Sequence, residues 1–219
     1  MGLVVWLAAV EAITQSPGST PVFRHLTIDD GLSQNVVAAL LQDRHGFVWV
    51  GTKDGLYRFD GLALVVHRHD PFDPATLSSS HVTALLEGDA GHLWVGTRDG
   101  GLNRLSQITG EMVRYTHSPA GPIAALVDDG NGRLWGATLG GGLFHLRQED
   151  GHDPDAVFER VVNEQAGVDS LRINFVKALL RDDRGTMWAG SSAGLHRYDA
   201  ATARFDLLPE LPVSALAPA

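Results

Sequence analysis

The sequence predicts an all-β fold, a β-propeller arc of about four four-stranded blades, on three observations. A Gly-x-x-Trp core recurs in register four times, at Gly46–Trp49, Gly91–Trp94, Gly132–Trp135 and Gly185–Trp188, and the tryptophans Trp49, Trp94, Trp135 and Trp188 are 45, 41 and 53 residues apart. A repeat of roughly 40–50 residues holding four short strands is the mark of propeller blades. Each core is flanked by short apolar runs rich in Val, Trp and Thr and bounded by Gly and Asp turns, which favours strands over helices. The first two runs of a unit are apolar on both faces, as in Ala38-Ala39-Leu40-Leu41 and Phe47-Val48-Trp49-Val50, a pattern expected of a sheet covered on both sides.

Taken in order, Leu3–Val10 is an apolar run with no preceding Lys or Arg. It reads either as a signal-peptide h-region or as a leader, and it is shorter than the roughly 20 residues that span a bilayer. Residues 1–21 are assigned to this leader and a Ser/Thr/Pro/Gly linker, and 22–219 to the repeats. Val22–Thr27 alternates like the outermost strand of a unit. Blade one is expected over 36–68, with strands Val36–Gln42, Phe47–Thr52, Leu56–Asp60 and Leu64–Arg68. Its first hairpin turn, Asp43–Gly46, has the Asp and Gly placement of a type I turn. Blade two is expected over 82–116. Blade three, over 123–162, reads Trp135-Gly136-Ala137 where the other units place glycine two residues after tryptophan, and it carries a polar insertion, Gln148–Asp155. Blade four is expected over 175–208, and Val213–Leu216 matches the first strand of a fifth unit. An outer strand at one end and an inner strand at the other are expected of an open arc of a larger ring, with apolar faces exposed at its ends. The tryptophans are expected between blades, where each contributes about 3–5 kcal/mol.

Composition narrows the function. The formal net charge is −9 with neutral His, and no run of Lys or Arg occurs, which disfavours nucleic acid as a partner. The chain has no cysteine, so disulfides, thiolate metal sites and cysteine nucleophiles are excluded. Among ten histidines, the densest group is His67-Arg68-His69-Asp70. Without a third ligand at zinc-type spacing, no metal site is assigned. Cofactors are not expected.

The stretch Thr27–Gly61 resembles the opening of the two-component regulator propeller family. The residues that carry the resemblance are Asp30-Gly31-Leu32-Ser33-Gln34-Asn35, Gly46–Thr52 and Asp54–Gly61, followed by the linker His69–Ser78 and the core Leu93–Leu105. The resemblance implies a periplasmic sensor region, commonly a seven-bladed propeller, of a membrane protein whose cytoplasmic part is a histidine kinase or diguanylate cyclase. The implied partners are an unidentified small molecule or glycan, the remaining blades and output domain of the parent chain, and a second protomer.

Ligands of propellers gather at a channel mouth where loops converge. The loops here contribute Asn35, Lys53, Asp54, His81, Arg98, Asp99, Arg172, Asn174 and Ser192 as candidate binding residues, although Asp54 and Asp99 also suit turns and Asn35 and Asn174 strand starts. No nucleophile–base pairing is recognisable among them, so the segment is read as non-catalytic. The alternatives are a secreted interaction scaffold and a propeller lyase.

Overall fold

The computed structural model describes residues 26–33, 36–115, 117, 121–147, 153, 155–161 and 175–208. Sixteen strands form four antiparallel sheets of four, each a simple meander. The first sheet comprises β1 (Val37–Gln42), β2 (Val48–Thr52), β3 (Leu56–Phe59) and β4 (Leu64–His67); the second β5 (Val82–Glu87), β6 (His92–Thr97), β7 (Leu102–Ser106) and β8 (Met112–Arg114). The third has β9 (Ile123–Asp128), β10 (Arg133–Thr138), β11 (Gly142–Arg147) and β12 (Glu159–Val161); the fourth β13 (Val176–Arg181), β14 (Met187–Ser191), β15 (Gly194–Asp199) and β16 (Arg204–Leu207). In the first sheet, the unit read strand by strand from the sequence, β1 and β2 start one residue later than the runs Val36–Gln42 and Phe47–Thr52, and β3 and β4 end one residue earlier than Leu56–Asp60 and Leu64–Arg68. The expected strand at Val22–Thr27 lies outside the described residues up to residue 25, and Leu26 and Thr27 lead into a short 3-10 turn instead. The fifth-unit segment Val213–Leu216 and most of the insertion 148–155 also lie outside them.

First strands β1, β5, β9 and β13 touch in succession, so they form the inner edge of the stack. Small residues at Ala39, Ala84 and Ala125 permit that approach. Pairing registers put Leu41, Trp49 and Leu56 on one face of the first sheet. That face packs on Val82, Leu85, Leu93 and Leu105 of the second, with Leu77 of the connecting loop. The second sheet meets the third through Trp94, Leu102, Leu134 and Leu146, and the third meets the fourth through Trp135, Leu143, Val176, Met187 and Phe205. Trp49, Trp94 and Trp135 therefore each point toward the sheet that follows.

Three of the four are buried as expected: Trp49, Trp94 and Trp135 are at most 2 % exposed. Trp188 is half-buried, because among the described residues nothing covers its face of the fourth sheet. There Leu180 and Leu195 are 60 % and 49 % exposed. The opposite end of the stack shows Val37 and Leu40, 46 % and 69 % exposed. Two-sided burial thus holds for the inner sheets and not for the outward faces of the first and fourth.

The glycine shift in the third unit has a packing cause. Gly136 pairs with Phe144, and a Cβ on Gly136 would lie 2.0 Å from Phe144 Cζ. The ring takes the space that Val50 and Val95 fill in the preceding sheets, and Ala137 then occupies the position of Gly51 and Gly96.

Candidate functional site

The hairpin between first and second strands is built around one carboxylate. Asp43 Oδ1 accepts the amides of His45 and Phe47 at 2.9 and 3.0 Å, and Oδ2 accepts Trp49 Nε1 at 2.8 Å. Asp182 repeats this with Arg184, Thr186 and Trp188, and Asp129 with Asn131, Arg133 and Trp135. Glycine closes each turn with φ near +80°, at Gly46, Gly132 and Gly185, a region costly to residues with a Cβ. Only the turn role of Asp43 was legible from its neighbours. The indole contact has its own signal, an Asp six residues before each of three tryptophans. In the second sheet Gly88 stands at that position, and Arg44 crosses from the first sheet to pair with Glu87 at 2.7 Å and donate to Gly88 O at 2.7 Å.

The opposite end of the sheets carries the candidate binding residues. A buried threonine at the end of the second strand ties down the following turn in the first three sheets: Thr52 Oγ1 donates to Gly55 O at 3.2 Å, Thr97 Oγ1 to Gly101 O at 2.8 Å and Thr138 Oγ1 to Gly142 O at 3.1 Å. Sequence reasoning missed these threonines, although each lies three residues after its tryptophan. Ser191 holds the place in the fourth sheet, accepting Ala193 N at 3.0 Å and pairing with His196 Nε2 at 2.8 Å.

On this anchored turn Lys53 is exposed and Asp54 half-buried. Asp54 is held by Arg68 Nε at 3.0 Å, and Arg68 also donates to Tyr57 Oη at 3.1 Å, an oxygen shared with Ser33. A hydrogen bond from Ser33, the largest influence, outweighs desolvation and, with help from the Arg68 guanidinium, holds the Asp54 carboxyl below the usual carboxylate range. Asp54 thus braces the turn to the outer strand side and to the loop before β1.

One seam gathers candidates from two blades. His81 precedes β5, and its carbonyl accepts Arg98 N at 2.9 Å. Burial, then the nearby Arg98 and Lys53 cations, push the His81 imidazole down from its ordinary value, with Asp99 opposing. Arg98 and Asp99 form an exposed ion pair at 3.9 Å. Lys53, Arg98 and Asp99 thus lie close enough to act on His81 across the seam of the first and second sheets, with Asp54 beside Lys53 on the same turn. Ser192 is exposed on the corresponding turn of the fourth sheet. The third sheet offers only Leu139–Gly141 there. Asn35, Arg172 and Asn174 lie outside the described residues.

The histidine cluster takes other roles. His67 stacks on Trp49 with ring centroids 6.1 Å apart, and burial, with a smaller contribution from Arg58, lowers its basicity. His67 and His69 do not share a strand face, because β4 ends at His67 and His69 Nδ1 lies 2.6 Å from Leu77 O. Among the described residues no three His, Asp or Glu side chains are grouped to hold a metal, and no helix is long and apolar enough to cross a membrane.

Four four-stranded meanders stacked inner strand to inner strand, with one anchored turn per sheet at a common rim, are blades of a β-propeller. The model of the two component regulator propeller family matches residues 31–54 and 76–99. Over 64 residues it is 42 % identical to histidine kinase P4 of Formosa agariphila, a match covering 29 % of this chain and 5 % of that one. Its fold matches the extracellular domain of a one-component system of B. thetaiotaomicron, BT4673, with TM-score 0.70 and 21 % identity, over 87 % of this chain and 28 % of that one. It also matches the extracellular domain of the hybrid two-component system BT3049 of the same organism, with TM-score 0.54 and 22 % identity, over 84 % and 31 %. The chain thus spans a small part of the kinase and under a third of each solved domain.

Proposed function

We propose that this chain is a non-catalytic, extracytoplasmic sensing portion of a transmembrane signalling protein. It binds a small molecule or glycan at the turn-bearing rim, and the bound state is passed through the blades to a histidine kinase or diguanylate cyclase. The observation that carries this reading is the coincidence of family match and rim. The two matched stretches end on Lys53-Asp54 and on Arg98-Asp99, the turns that meet His81 at the first seam. A propeller suits the task because the rim loops rest on sheets locked by buried tryptophans, so a ligand that bridges two turns acts on packed elements.

The reading is tested in the intact signalling protein. Alkaline phosphatase inserted into the exposed loop at Asp73 is expected to be active, as it is only outside the cytoplasm. Output is then measured against a panel of oligosaccharides and small acids. Phosphatase activity with an output response to one ligand class supports the proposal; an inactive fusion, or a rim variant with unchanged response, removes it.

A further inference from the structure

We propose that Asn131 is a site of spontaneous covalent modification, at which Gly132 N attacks the side-chain amide and converts it to aspartate and isoaspartate. Of the five asparagines in the chain, Asn131 alone precedes a glycine. A following glycine leaves the attacking amide unshielded by a side chain, and asparagine is among the thermolabile residues. The structure adds what the dipeptide alone does not show. The hairpins between first and second strands in the first, third and fourth sheets follow one plan, with an aspartate opening the turn and a glycine closing it. In the first and fourth the closing glycine is held: Gly46 N donates to Asp43 O and Gly185 N to Asp182 O, each at 2.9 Å. In the third, Gly132 N makes no such bond among the described residues. Asp129 O accepts Asn131 Nδ2 instead, at 3.4 Å. The asparagine side chain thus takes the acceptor that restrains the glycine amide in the sister turns. Asn131 and Gly132 are both exposed, and a Cβ on Gly132 would meet nothing within 4 Å, so the amide has room to turn and water has access.

The attack is intramolecular, so the orientation of the amide governs its rate. Gly132 N bonds to Asn131 Cγ and gives its proton to solvent, while the Cγ–Nδ2 bond breaks and the nitrogen leaves as ammonia. Water then opens the imide ring at either carbonyl. One product is aspartate; the other is isoaspartate, whose main chain runs through Cβ and Cγ. Both add a negative charge to a turn that Arg181 of the fourth sheet already faces, since a Cβ added at Gly130 would collide with Arg181 Nη2. Isoaspartate also lengthens the main chain inside the turn. There Asp129 Oδ1 accepts Asn131 N and Arg133 N at 2.7 and 3.2 Å, and Oδ2 accepts Trp135 Nε1 at 3.3 Å. The modification therefore loosens the carboxylate that holds Trp135 at the seam of the third and fourth sheets.

The sister turns supply the control. His45→Asn puts an asparagine before the held Gly46, and Arg184→Asn puts one before the held Gly185; either serves if the other fails to fold. The full chains are kept folded in mildly alkaline buffer and digested at intervals. Mass spectrometry then follows the replacement of amide by acid at each site, and an isoaspartyl methyltransferase labels the isomerised product. Loss of one restraint on the attacking amide is expected to make conversion at Asn131 about tenfold faster than at a control site, a barrier difference of about 1.4 kcal/mol. Conversion at Asn131 no faster than at the control sites would overturn the proposal. So would an Asn131 that keeps its amide in the folded chain while converting in urea.

Discussion

Replacing Gly96 by alanine isolates the seam between the second and third blades. The backbone there is not left-handed, so alanine is conformationally admissible and only space is at issue. The added methyl would stand 2.5 Å from Ile123 Cγ2, 2.7 Å from Ile123 Cβ and 3.2 Å from Ala84 Cβ. Carbon atoms pack best at about 3.5–4.0 Å, so the seam must open by roughly 1 Å. Ile123 is fully buried on an inner strand pinned on both sides, which leaves little room to yield. Overpacking of this kind costs about 1–3 kcal/mol, and 2 kcal/mol lowers Tm by roughly 4–8 °C in a chain of this size. Thermal unfolding followed by circular dichroism measures it. Ile123→Ala in the same chain should recover part of the loss, a coupling of about 1 kcal/mol. A Gly96→Ala protein as stable as the parent would refute the reasoning, because blades would then slide apart without penalty and the glycine would have no packing role.

Three further outcomes follow from the hydrogen bonds and titrations. Asp43→Ala strands the buried Trp49 Nε1 and frees two part-buried amides, and is expected to cost about 1–3 kcal/mol, read as a lower urea midpoint with unchanged m-value. His67 and His196 both bind protons less readily folded than unfolded, chiefly through burial. The stability they contribute is therefore complete above about pH 6.5 and is lost as pH falls through that value, where the unfolded chain takes up protons first; urea midpoints at pH 7.5 and 5.5 should differ, and His196→Gln should narrow the difference. Burial pushes the Tyr115 phenol up to about 12, so an absorbance titration should show an ionisation near that value that Tyr115→Phe removes, and a curve unchanged by the substitution would contradict this.

The repeat made the architecture legible because each unit solves the same problem with the same residues. A tryptophan fills the widening gap in all four; a glycine admits the next inner strand except in the third unit, where Ala137 stands, and an Asp-to-Gly turn reverses the chain except in the second, where Gly88 stands. Strand positions followed from that punctuation. Trp188 did not follow, since its burial depends on what lies beyond its sheet, and no property of the Gly185–Trp188 core distinguishes it from the others. The site was less legible. His81 was found as a loop residue, but its proximity to Lys53 and Arg98 arises from the stacking of two sheets. The bracing contacts of Asp54 come from Arg68 and Ser33, 14 and 21 residues away. The Thr52, Thr97 and Thr138 anchors were visible as a spacing, yet a β-branched residue at a strand end reads as ordinary strand composition.

The rim between the first two blades is tested most directly by an output titration of the intact signalling protein carrying Lys53→Ala together with Arg98→Ala, against the ligand that drives the parent. Removing both cations should raise the half-maximal concentration by about tenfold or more while the saturated output and the amount of protein at the membrane stay unchanged. A titration curve superimposable on that of the parent would contradict the assignment of this seam as the place where the signal is received.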